Sequence, residues 1–209
     1  MKIIPTIESL DLTRKISDSI NNKTFHHHYH LLYDIGKLFD NNTNINYVEI
    51  GCFAGASAIL MLQRPNTNVI SIDCGSPISQ QTVLDNVKKN NIYNNQYHYI
   101  KGYSQQQHVK IKLIELLNNN KIDILFIDGG HKYQDVIDDY NKYNDLINHN
   151  GYIVFDDYND YEYCPEVKQA VNEIVSKLNG YEIIGTFKNE LGARPTELID
   201  GNCFIIKKI

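Results

Sequence analysis

The strongest constraint on this chain is an alternation that begins near residue 45. Short runs rich in Ile, Val and Tyr are separated by stretches with helical spacing. The runs are NYVEI (46–50), NVISID (68–73), YHYIK (97–101), IDILFID (122–128) and YIVFDD (152–157). Near-continuous apolar runs of this length read as parallel strands covered on both faces. Between the last two, Val136, Tyr140, Tyr143 and Ile147 fall on one helical face within 132–148. Val167, Ala170, Val171, Ile174 and Leu178 do the same within 165–178, with Pro165 at an expected first helical position. Segments 55–64, 78–90 and 105–118 carry weaker helical stripes. Strands alternating with helices predict a parallel α/β sheet with right-handed crossovers. Two further runs, YEIIGTF (181–187) and NCFIIKKI (202–209), have no helical stripe between them. They are expected to pair as an antiparallel hairpin around a long loop, 188–201. The prediction is a doubly wound, seven-stranded sheet with one reversed strand.

Residues 1–44 follow another pattern, helical with Asn-rich breaks. They are expected to form an N-terminal helical cap over the C-terminal edge of the sheet, the edge where open α/β sheets bind ligands. Residues 45–209 then form the main unit of one compact domain, as 209 residues allow. In FHHHYH (25–30), His26 and His30 have the spacing of a chelating pair on a helix. No third ligand accompanies them, so the segment reads as part of the cap near an acceptor pocket. Arg194 in the long loop, and Tyr103, Tyr133, Tyr158 and Tyr161, are further candidates to line that pocket.

Composition excludes several classes of function. A net charge of -5 with no long basic run argues against a nucleic-acid partner. No stretch reaches the roughly 18 to 20 apolar residues of a membrane span, and the N-terminus carries no secretory pattern. The cysteines, Cys52, Cys74, Cys164 and Cys203, form no C-x-x-C pair. A zinc site is therefore not expected, and reduced thiols point to the cytoplasm.

The first strand runs into VEIGCFAGASAIL (48–60), where Gly51 and Gly55 bracket a tight strand-to-helix turn. Glycine there admits positive φ and lets a ligand approach the backbone. The spacing is G-x-x-x-G, not the G-x-G-x-x-G that cradles a dinucleotide pyrophosphate. This disfavours a nicotinamide-dependent enzyme. Asp73 closes the second strand, where an acidic side chain can accept hydrogen bonds from both hydroxyls of a ribose.

From Tyr47 onward these residues resemble the class I S-adenosylmethionine-dependent methyltransferases, and more narrowly the metal-dependent catechol-type and macrocin-type O-methyltransferases. The catechol-type pattern Gly-x-aromatic-x-Gly-x-Ser stands here as Gly51, Phe53, Gly55 and Ser57. The resemblance implies that this loop, with Glu49 before it, holds the methionine end of the cofactor, and that Asp73 grips its ribose. Gly102, Ser104 and Gln105 match the Gly-x-Ser-Gln after the third strand, which implies contact with the adenine. FIDGGHKYQDV (126–136) is similar to the family's Asp-containing motif, which places Asp128 beside cofactor and metal. His131 stands where the catechol enzymes carry a lysine base. Asp156 and Asp157 occupy the family's acidic positions after the fifth strand, and PEVKQAVNEIV (165–175) resembles its next helix. The fold implied is the Rossmann-like methyltransferase sheet.

On this reading Asp128, Asp156 and Asp157 converge from adjacent strand tips. Crowded carboxylates repel and raise each other's pKa, and a bound dication relieves this. All-oxygen ligation suits Mg²⁺, with Mn²⁺ or Ca²⁺ as alternatives. The cation would acidify a hydroxyl held in line with the donor methyl. His131, with an ordinary pKa of about 6.5, is the candidate general base. The acceptor is expected to be a hydroxyl of a small molecule or of a sugar or glycoconjugate, and a homo-oligomer is admitted. The competing expectations are a metal-independent methyltransferase of the same fold, acting for example on nitrogen, and a non-catalytic module that binds S-adenosylmethionine.

Overall fold

The computed structural model describes residues 3, 6–20, 29–75, 77–186 and 202–209. His26, Arg194 and the whole of the loop expected at 188–201 lie outside the described residues. The chain begins with helices α1 (Ile7–Ser19) and α2 (His30–Gly36). Strands and helices then alternate: β1 (Ile45–Ile50), α3 (Ala56–Leu62), β2 (Thr67–Asp73), α4 (Gln80–Asn90), β3 (Tyr97–Lys101), α5 (Gln107–Leu117), β4 (Ile122–Ile127), α6 (Tyr133–Tyr143) and β5 (Ile147–Phe155). Helix α7 (Val167–Ser176) leads to the strands β6 (Tyr181–Thr186) and β7 (Phe204–Lys208).

The seven strands form one sheet in the order β3-β2-β1-β4-β5-β7-β6. All pairings from β3 to β5 are parallel, and β7 runs antiparallel to both β5 and β6. This is the expected doubly wound sheet with one reversed strand. The strand order reverses direction between β1 and β4, the switch point outside which such sheets hold ligands. The middle strands are mostly apolar because both faces are covered, and all six residues of β4, Asp123 included, are buried.

Local signals explain several boundaries. Thr6 caps α1 by accepting from the Ser9 amide, and Ser79 caps α4 by accepting from the Thr82 amide. Two details differ from the expectation. Ile147 opens β5, paired with Ile122, because a 3₁₀ turn at Asn144–Leu146 ends the helical run early. Pro165 precedes the first turn of α7, which starts at Val167, a shift within the usual fraying of helix ends.

The N-terminal helices form a cap that shares a core with the sheet. Ile16, Leu31, Leu32 and Ile35 pack in one apolar cluster with Tyr47, Ile59, Met61 and Phe126. Arg64, only 1% exposed, ties the two parts together. Its Nε donates to the Gly36 carbonyl at 3.0 Å, its Nη2 to Asp40 at 2.6 Å and its Nη1 to Pro65 at 2.8 Å. Among the described residues, no helix is long and apolar enough to cross a membrane.

Candidate active site

The parallel ladder continues past the strand ends and draws their tips together. The Gly51 amide donates to the Ile72 carbonyl at 2.8 Å, Asp128 to Ile50 at 2.9 Å and Asp156 to Ile127 at 3.0 Å. Gly51 has φ of 84°, and a Cβ built on it would lie 1.9 Å from the Asp128 carbonyl oxygen. Only glycine lets the β1 exit pass that close to β4. Phe53 and Gly55 also adopt positive φ, at 44° and 88°. The turn opens onto a cavity of about 580 Å³, in the range of small-molecule sites.

Asp73 shapes this turn. Its Oδ2 accepts from the amides of Cys52 at 2.9 Å and Phe53 at 3.3 Å, and its Oδ1 accepts from Gly75 at 2.6 Å. Gly51, Phe53 and Asp73 all line the cavity, as do Ser104, Gln105, Asp128, His131 and Asp157. Gly55, Ser57, Glu49 and Asp156 are not among its lining residues.

Glu49 and Ser57, expected to contact the cofactor, sit instead in a buried layer behind the turn. Glu49 accepts hydroxyl hydrogen bonds from Ser57 at 2.6 Å, Ser71 at 2.6 Å and Tyr47 at 2.9 Å. Full burial outweighs these three donors and pushes its carboxyl from 4.5 up to about 7. A raised folded pKa makes the associated stability complete below the unfolded pKa and lost as pH rises through the folded one. The native protein should therefore weaken between about pH 4.5 and 7, with Glu49 contributing up to ~3 kcal/mol. E49Q is expected to melt higher than the native protein at pH 8 and to lose most of that advantage at pH 4.5. Thermal melts across this range check it, and equal slopes for both proteins would contradict it.

A second buried carboxylate, Asp139 on α6, gave no signal in the sequence because it lies on a helix rather than at a strand tip. Its Oδ1 accepts from Ser104 Oγ at 2.6 Å and from Gln105 Nε2 at 3.0 Å. Tyr143, one turn on, donates to the Ser104 carbonyl at 2.6 Å. Helix α6 thus clamps the segment where contact with adenine was expected. A carboxylate only accepts, so it turns the Gln105 amide nitrogen towards α6.

At the other end of the cavity the acids meet. Asp128, Asp156 and Asp157 each offer an oxygen, and these atoms lie within 4.8 Å of one another. Burial, followed by the charge of Asp156, raises the Asp128 pKa well above the ordinary carboxylate range. His131 Nε2 lies 3.3 Å from Asp157 Oδ2 and 3.8 Å from Asp128 Oδ1. The nearby Asp128 carboxylate raises its pKa against the opposing effect of partial burial. The buried Tyr29 of the cap donates to Asp128 Oδ2 at 3.0 Å, with its ring edge-on to Phe126 at 5.7 Å. Sequence reasoning missed Tyr29, since nothing local marks which cap residue reaches the strand tips. Tyr103 lines the cavity, whereas Tyr133, Tyr158 and Tyr161 do not.

A seven-stranded sheet with its last strand reversed, a glycine turn at the switch point and an acid closing β2 define a class I S-adenosylmethionine-dependent methyltransferase. The sequence profile described as "Methyltransferase domain" matches residues 48–158, and the chain belongs to that family. It is 40% identical over 189 residues to an uncharacterized protein of Acanthamoeba polyphaga mimivirus, covering 85% of this chain and 83% of that one. Among solved structures it resembles an O-methyltransferase from Bacillus cereus in complex with SAH, at 16% identity and a TM-score of 0.64, covering 99% of this chain and 93% of the other. It also resembles CalS11, a TDP-rhamnose 3'-O-methyltransferase of calicheamicin biosynthesis, at 11% identity and a TM-score of 0.58, covering 99% and 97%. At these identities the likeness is one of fold.

Proposed function

We propose that this protein is an O-methyltransferase that transfers the methyl group of S-adenosylmethionine to a hydroxyl of a small molecule or sugar, with a hard divalent cation held by Asp128, Asp156 and Asp157. One observation carries the reading: three carboxylates converge, and two of them, Asp128 and Asp157, line the cavity that Gly51 and Phe53 also line. Without a cation, such crowding is costly. An all-oxygen donor set fits Mg²⁺ first, with Mn²⁺ or Ca²⁺ as substitutes. The sugar preference draws support from the likeness to CalS11.

In this reading the Gly51–Gly55 turn and Asp73 hold the cofactor's methionine and ribose, and Ser104 and Gln105 border its adenine. The cofactor supplies a sulfonium methyl, and the cation lowers the pKa of the acceptor hydroxyl. His131 opens onto the same cavity, 45% exposed, and serves as the base that removes the hydroxyl proton. The cap, taken as 1–44, shapes the acceptor side, while 45–209 forms the methyltransferase domain. A cytoplasmic location also belongs to this reading and rests on cysteine usage.

Calorimetry with S-adenosylhomocysteine should give one site with micromolar affinity or better. A panel of phenols, sugars and nucleotide sugars, assayed with and without a strong chelator, should yield methylated product that disappears on chelation and returns with Mg²⁺. Full turnover in chelator would favour the metal-independent alternative. Cofactor binding with no transfer to any acceptor would favour a binding module.

A further inference from the structure

Cys164 plays no part in the chemistry above, yet its thiol meets the candidate site. It is buried and donates to Asp157 Oδ2 at 3.3 Å. The same oxygen lies 3.3 Å from His131 Nε2. One ligand atom from each of His131, Asp157 and Cys164 falls within 4.8 Å of the other two. Tetrahedral zinc, with bonds of about 2.0–2.1 Å to nitrogen, 2.0–2.2 Å to oxygen and 2.3 Å to sulfur, requires edges of about 3.3 Å for N–O and 3.5 Å for S–O. The two observed separations match these edges to within a few tenths of an ångström.

Two of the three side chains, Asp157 and Cys164, are held in place from behind. Asp157 takes left-handed φ of 55°, and its other oxygen accepts from Asn202 Nδ2 at 3.4 Å. The Cys164 amide donates to the Asp160 carbonyl at 3.2 Å, and its own carbonyl accepts from Val167 at 3.2 Å, so the thiol sits in a braced turn. Such outer contacts orient metal ligands. His131 and Asp157 line the cavity, which leaves a fourth position open on that side.

We propose that His131, Asp157 and Cys164 form a second metal site, selective for a thiophilic divalent cation of the zinc class. A mixed nitrogen, oxygen and sulfur set suits zinc and disfavours Mg²⁺. On binding, a metal–sulfur bond forms and the thiol proton passes to solvent. Cysteine spacing argued against zinc because the ligands are distant in sequence and meet only in the fold. Occupancy would take His131 and Asp157 away from methyl transfer, so zinc should inhibit. This consequence alone rests on the proposed function; the binding itself does not.

Titration of the metal-free full chain with Co²⁺, without cofactor or acceptor, tests the site. About one equivalent should give a thiolate-to-cobalt absorption band in the near ultraviolet, and Zn²⁺ should displace it. C164S should abolish the band, and H131A should weaken Zn²⁺ binding at least ~10-fold. D156N, which removes a charge from the oxygen cluster and keeps an oxygen to accept from the Asp157 amide, should retain the band. No band in the native protein, a band that persists in C164S, or unchanged affinity in H131A would overturn the proposal. If C164S fails to fold, H131A carries the test, because its ring is half-exposed. A failure of the methyltransferase reading would show as lost cofactor binding and leave the cobalt band untouched.

Discussion

D128N should lose methyl transfer by a factor of at least ~100 while the metal-free protein becomes more stable. Both effects follow from the same placement. Asp128 is partly buried among carboxylates and accepts from Tyr29, so its ionised form is disfavoured by desolvation and by Asp156. Its folded pKa lies above the unfolded value, so stability falls as pH rises through the folded pKa. A neutral amide removes that loss, and the melting temperature of D128N should exceed that of the native protein above pH 7. In the proposed site the charge is what holds the cation, so the amide gives up function for stability. Excess Mg²⁺ should reverse the order of melting temperatures, because binding stabilises only the protein with an intact site. The checks are demethylated cofactor formed with an acceptor the native protein accepts, and melting curves with and without Mg²⁺. Unchanged turnover would remove Asp128 from the chemistry. A less stable metal-free variant would show that its carboxylate is structural.

R64A should destabilise the protein by about 3–5 kcal/mol, with no change in the chemistry of the site. The buried guanidinium satisfies carbonyls from Gly36 and Asp40 on the cap side and from Pro65 beside β2. Its removal leaves several buried acceptors unpaired at once, and each loses more than the net value of a hydrogen bond. For a chain of this length the loss corresponds to a drop of about 10 °C in melting temperature. R64K should recover little, since an ammonium cannot fork to carbonyls on two sides. Calorimetric melts check this, and a loss below about 1 kcal/mol would show that the cap contributes little to the common core.

Tyr29 joins the two results. It belongs to the cap, packs on Phe126 of β4 and donates to Asp128. The segment with no counterpart in the family resemblance thus contributes a hydrogen bond to the carboxylate cluster.

The sequence by itself determined the elements and their order. Strand runs buried on both faces must be mostly apolar, as β4 is apart from Asp123, and amphipathic helices must repeat every three or four residues, as α7 does. Turn chemistry is equally local, which made Gly51 and Asp73 legible: one needs positive φ, and the other ends a strand. Parallel strands carry their tips to one edge, so the meeting of Asp128, Asp156 and Asp157 could also be anticipated. Only the tertiary structure decided which side chains turn inward. Glu49 points into the layer behind the turn, Asp139 reaches from α6 to Ser104, Tyr29 arrives from the cap and Cys164 closes on Asp157. These contacts join residues far apart in the chain through packing, and no periodicity or spacing along a single sequence encodes such a pairing.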